Sequence, residues 1–117
     1  MSIKGGSGRG GSNVVPLVDR PLSYPRAMAR CKTLWKDGKF TWVPHADERL
    51  LELGWDIADM ENMIRFGRVV EHSKPGNLWR YTLEGPTAEQ HTGRVVYELA
   101  GELLIFVSVI RKGKWRT

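Results

Sequence analysis

The chain has 117 residues, 41% of them apolar, with 18 lysines and arginines against 13 carboxylates and a net charge of +5. That is the length of one domain and the composition of a globular one. The longest apolar run, Leu103 to Ile110, is too short for a bilayer span and no charged-apolar-small leader pattern opens the chain, so membrane contact and secretion are not expected. The lone Cys31 excludes an internal disulfide and a thiolate metal centre; the expected location is the cytoplasm.

Charge is unevenly spread. Met1 to Pro44 carries 8 basic and 2 acidic residues (+6), His45 to Thr92 carries 5 and 9 (−4), and Gly93 to Thr117 carries 5 and 2 (+3). Two basic ends around an acidic middle favour a polyanionic partner.

Residues 1–12 include the run Gly5 to Ser12, which lacks core-forming side chains and reads as a flexible tail. Residues 13–38 read as an N-terminal extension: prolines at 16, 21 and 25 interrupt it, and Arg26 to Trp35 can form a short helix after Pro25. Asp37-Gly38 then signals a turn, and the compact domain is expected over 39–117.

Lys39 to Val43, β-branched and aromatic between Gly38 and Pro44, reads as a strand. His45 to Leu53 places Ala46, Leu50 and Leu53 at helical spacing, with Gly54 as its C-terminal cap. Asp56 caps a second helix whose stripe is Ile57, Met60, Met63 and Ile64, and Gly67 stops it. Strands follow at Val69 to His72, Leu78 to Leu83, Arg94 to Leu99 and Leu103 to Ile110, with turns at Pro75-Gly76 and Ala100 to Glu102. The last strand is apolar on both faces, so it is expected to be central, its second face covered by the N-terminal segment with Trp35. The fold class is α+β: a two-helix hairpin packed on an antiparallel sheet of about four strands.

Strand alternation puts Arg80 and Thr82 on one face and Trp79, Tyr81 and Leu83 on the other. Arg94, Val96 and Glu98 likewise share a face, and in-register pairing would let Arg80, Arg94 and Arg111 converge on one polar strip. His45 and Arg49, four apart on a helix, are neighbours suited to phosphodiester chemistry, imidazole moving a proton and guanidinium gripping phosphate. The competing reading makes His45 part of a helix start and pairs Arg49 with Glu52 or Asp56. His72 and His91 read as surface histidines in turns or strand ends. Trp42, Trp55 and Trp79 read as core or core edge. Trp115, inside Arg111, Lys112, Gly113, Lys114 and Arg116, reads either as a base-stacking group among phosphate-binding cations or as a tail covering the sheet. No P-loop, nucleophile elbow or paired-histidine zinc spacing occurs, so no cofactor and no metal are expected.

His45-Ala46-Asp47-Glu48-Arg49-Leu50, Glu52-Leu53-Gly54, Asp59-Met60, Ile64, Gly67-Arg68-Val69-Val70-Glu71 and Trp79-Arg80-Tyr81 resemble a family of small bacterial domains of unknown function, often encoded on mobile elements. That family looks similar in layout to the RelE/ParE and BrnT toxins of type II toxin–antitoxin systems. The resemblance covers roughly Phe40 to Arg111. It implies a RelE-like fold and a metal-independent endoribonuclease acting on RNA, free or on the ribosome, and held by an antitoxin protein. On the matching positions it implies His45 for proton transfer, Arg49 and Arg80 for phosphate, and Tyr81 as a secondary acid or stacking group; strand alternation, which turns Arg80 and Tyr81 to opposite faces, favours Arg80 for the site and Tyr81 for the core. Arg94, Arg111, Lys112, Lys114, Trp115 and Arg116 are the nucleic-acid-binding candidates. The alternatives are a non-catalytic nucleic-acid- or protein-binding module of a mobile element, or an accessory domain with no specific partner.

Overall fold

A computed structural model describes residues 20–115. Three helices, α1 (Tyr24–Lys36), α2 (Pro44–Leu53) and α3 (Ile57–Phe66), accompany five strands: β1 (Phe40–Trp42), β2 (Arg68–Ser73), β3 (Arg80–Pro86), β4 (His91–Ala100) and β5 (Leu103–Lys114). The sheet order is β1-β5-β4-β3-β2; β1 runs parallel to β5 and the other neighbours are antiparallel. The class is α+β as expected, but the sheet is mixed and five-stranded and the helices number three. Two local causes explain the difference. Phe40 to Trp42 pairs with Leu104 to Phe106 from across the chain instead of through a hairpin, and the segment before it forms a full helix.

That first helix begins where Ser23 Oγ accepts the Arg26 N–H at 3.3 Å, with Pro25 in its opening turn. Its buried side is Ala27, Met28, Cys31, Leu34 and Trp35, so it belongs to the one core and the division at residue 39 does not separate two packed units. Two tyrosine hydroxyls fasten it: Tyr97 donates to the Ala27 carbonyl at 2.8 Å, and Tyr81 accepts the Leu22 N–H at 2.9 Å. The expected tail, residues 1–12, lies outside the described residues.

The helix hairpin forms as its caps dictate. Gly54 takes φ +70° after α2, a left-handed conformation costly for other residues. Asp56 and Asp59 then form a reciprocal capping box at 3.0 and 3.2 Å. The residue before α2 is Val43, whose side chain caps nothing, so His45 lies inside the first turn.

All three helices contribute to a single core with one face of the sheet, formed by Tyr81, Leu83, Val95, Tyr97, Leu104, Phe106 and Val109. Trp35 stacks on Phe40 at 4.5 Å and meets Phe106 edge-on, while Trp42 stacks on Phe106 at 4.4 Å. Trp35 therefore adds to the helix side of β5 and does not cover its second face, contrary to expectation. Cross-strand pairs Arg80–Glu98, Glu98–Ile105 and Ile105–Thr41 form a row on that second face, whose apolar members Ile105 and Ile110 stay half-buried and exposed.

The C-terminal turn of α3 lies directly on the sheet. A Cβ on Gly85 would sit 2.6 Å from the Met63 carbonyl, and one on Gly93 would meet Trp55 at 2.7 Å and the Met63 sulfur. Gly85→Ala is expected to destabilise the fold by about 1–3 kcal/mol through overpacking, measured by urea unfolding. Burial pushes the Cys31 thiol up to about 12, the largest of its influences, so at neutral pH it stays protonated. Ellman's reagent should leave it unmodified in the folded protein and titrate it only after denaturation.

Candidate nucleic-acid interface at the C-terminal strand ends

The residues expected to act together at His45 do not meet. His45 is exposed on α2 and has no hydrogen bond or ion pair among the described residues. Arg49 pairs with Glu52 at 2.8 Å along the same helix, as the competing reading held. Arg80 lies on the sheet face opposite the helices, bonded to Glu98 at 2.6 Å. The thickness of the sheet thus separates Arg80 from His45 and Arg49, because odd and even positions of β3 point to opposite faces.

Nor do Arg80, Arg94 and Arg111 form one strip. Arg94 shares the face of Arg80, but Glu84 at 2.9 Å and Glu71 at 3.7 Å neutralise it. A register shift between Val96 and Tyr97 sets Arg111 opposite Gly93, whose alternation partners Val95 and Tyr97 face the helices. These half-exposed cross-strand pairs contribute roughly 0–1 kcal/mol each, yet they occupy the two arginines most exposed to misassignment as phosphate ligands.

Arg111, Lys112, Lys114 and Trp115 do come together. The strand β5 continues four residues beyond its expected end, because Lys114 pairs with His91 and Gly113 with Thr92. Thr92 Oγ1 donates to the Lys114 carbonyl at 2.9 Å, and the Trp115 N–H donates to the Gln90 carbonyl at 2.9 Å. Gly113 takes φ +123° at the irregular pairing, where L side chains are strained. Arg116 lies outside the described residues.

Two hollows flank this strand end and share Lys114 and Trp115 as a wall. The larger, about 920 Å³, is completed by Phe66, Arg68, Glu84, Thr92 and Lys112. The smaller, about 400 Å³, is completed by Glu89, Gln90, His91, Arg111 and Gly113. Arg68, Lys112 and Lys114 have no carboxylate within ion-pair distance among the described residues. Phe66 is 60% exposed, with the Arg65 guanidinium 5.3 Å from its ring centre. Uncommitted cations beside two accessible aromatic rings can grip a phosphate backbone while bases stack.

The tight turn from Thr87 to Gln90 sets the geometry. The Thr87 N–H donates to the His91 carbonyl at 2.8 Å, the His91 N–H returns to Thr87 Oγ1 at 3.0 Å, and Gln90 takes φ +65°. Helix α3 clamps this turn: Asp59 Oδ1 accepts from Ala88 N–H at 2.9 Å, and Asn62 Nδ2 donates to the Pro86 and Thr87 carbonyls at 3.1 and 3.0 Å. The turn in turn places His91 and, through Gln90, Trp115.

Arg68, Phe66, Thr92 and His91 were not among the sequence candidates. For His91 the signal was present but interrupted: the alternation Val95, Tyr97, Leu99 extends back through Gly93 to His91, and the glycine conceals it. Arg68 and Phe66 join the groove only through the β2–β3 register and the helix exit, which no local pattern displays. Among the described residues no three His, Cys, Asp or Glu side chains are placed to hold a metal ion, and no described helix is long and apolar enough to cross a membrane.

Asn62→Ala leaves the Pro86 carbonyl without its side-chain donor and should cost about 1–3 kcal/mol. Faster amide hydrogen exchange at His91 than in the parent protein would show the turn loosening; unchanged exchange would separate α3 from the placement of the site.

No family model, curated protein or solved structure matches this chain.

Proposed function

We propose that this protein is an RNA-directed domain of the RelE/BrnT toxin type that holds a single RNA strand along the groove between α3 and the end of β5. The observation that carries the reading is the set of cations Arg68, Lys112 and Lys114, uncommitted among the described residues, beside Trp115 and Phe66 in one groove. Among the described residues the one carboxylate lining it, Glu84, is already bonded to Arg94. A strand fits better than a duplex, because stacking on Trp115 and Phe66 needs unpaired bases.

The toxin assignment, the endoribonuclease activity and an antitoxin partner come from the motif resemblance around His45-Ala46-Asp47-Glu48-Arg49 and Gly67-Arg68-Val69-Val70-Glu71. A second reading, a non-catalytic RNA-binding module, is favoured by one observation: His45 and Arg49 lie across the sheet from Arg80. Both readings use the same groove, and cleavage distinguishes them.

Binding of a short unstructured RNA should weaken with salt along a log–log slope of about −2, as about three released counterions on a single strand require. Lys112→Gln and Lys114→Gln should each reduce that slope by about 0.7, whereas Arg80→Gln should leave it unchanged. Equal effects from Arg80 and Lys112 in a fluorescence-anisotropy titration would remove the groove from the account.

A further inference from the structure

We infer that His91, with Arg111 beside it, is the proton-transfer site for RNA cleavage, a role the His45 set cannot fill in this arrangement. The inference rests on the RNA-binding reading above and locates the chemistry within it. His91 is half-buried at the first position of β4, its backbone fixed on both sides by Thr87. Its Nε2 faces Arg111 Nη2 at 3.4 Å. A guanidinium has no lone pair to offer, so the contact assigns Nε2 as acceptor and leaves the ring proton on Nδ1. An imidazole presenting a lone pair next to a cation is an arrangement suited to a general base for phosphodiester chemistry.

The surrounding hollow supplies the rest. Lys114 lies opposite His91 in the strand pairing and lines the same hollow, and Trp115 forms the wall shared with the binding groove. A strand held in that groove therefore reaches the His91 hollow without leaving the protein surface. Glu89, the remaining ionisable group there, is an exposed turn residue and makes no ion pair among the described residues. When a phosphate enters, Arg111 turns its donors to the phosphate oxygens and frees Nε2.

The step balances without an oxidant or metal. Nε2 of His91 takes the proton of a ribose 2′-hydroxyl, and the 2′-oxygen forms a bond to the adjacent phosphorus. The bond from phosphorus to the 5′-oxygen breaks, that oxygen takes a proton from water, and the hydroxide so formed takes back the proton held by His91. The products are a 2′,3′-cyclic phosphate and a 5′-hydroxyl end. Arg111 and Lys114 stabilise the charge gathering on the phosphoryl oxygens.

The test uses the full chain, a short fluorescent single-stranded RNA and its all-deoxy counterpart, in EDTA, with binding and single-turnover cleavage measured separately. The parent protein should bind both strands and cut only the RNA, leaving a cyclic phosphate. His91→Gln should bind with unchanged affinity and cut about 10²–10⁴-fold more slowly. His91→Asn should behave alike, with melting temperature and circular dichroism confirming that both variants fold. His45→Gln, on the helix remote from this hollow, should cut at the parent rate. Cleavage by the parent with undiminished cleavage by both His91 variants would overturn this inference and leave the RNA-binding reading standing. Binding without any cleavage by the parent would overturn it in favour of the non-catalytic module. No binding at all would overturn both.

Discussion

The C-terminal end of the molecule depends on how closely α3 approaches β3 and β4. The Met63 carbonyl occupies the space a Cβ would need on Gly85, and Trp55 and Met63 do the same over Gly93. At that separation Asp59 and Asn62 reach the Thr87 turn, which positions His91 and Trp115. A larger residue at either glycine would push the helix away, and the polar clamp would lose its reach. Packing and the candidate site are therefore coupled through a backbone contact, which is why the turn sits over a core element and is not a free loop.

The basic residues of the sheet divide into two populations by the same logic of register. On the face away from the helices, Arg80 and Arg94 meet Glu98, Glu84 and Glu71, and their charge is largely spent within the sheet. At the strand ends the cations outnumber the carboxylates, Glu84 and Glu89, that line the two hollows. Arg68, Lys112 and Lys114 have no such partners among the described residues; all three line the larger hollow, and Lys114 also lines the smaller. The unpaired positive charge of the sheet is therefore concentrated at its end. Phe66, 60% exposed, adds an apolar ring to the larger hollow.

Much of the fold was legible because local chemistry specified it. Pro25, Gly54, Asp56 and Gly67 mark helix ends within a residue or two, and period-two alternation sorted Tyr81 from Arg80. The parallel pairing of β1 was not legible, since residues 40–42 and 104–106 share no local signal. The site was legible in part. The Arg111 to Trp115 cluster stood out by composition, but its extension as a strand depends on pairing with His91 and Thr92. The His45, Arg49 and Arg80 set looked coherent in sequence because helical spacing and a motif each suggested proximity, and only the sheet's two-sidedness separates them. His91 was hidden by Gly93, whose missing side chain reads as a break in the strand but is there to admit Trp55 and Met63.

The most direct test is a residue-resolved NMR titration with a short single-stranded RNA. Shifts should concentrate at Arg68, Thr92, Lys112, Lys114 and the Trp115 indole, extend to His91 and Arg111, and leave His45, Arg49 and Arg80 where they are. Shifts centred on α2, or on the Arg80–Glu98 pair, would contradict the account.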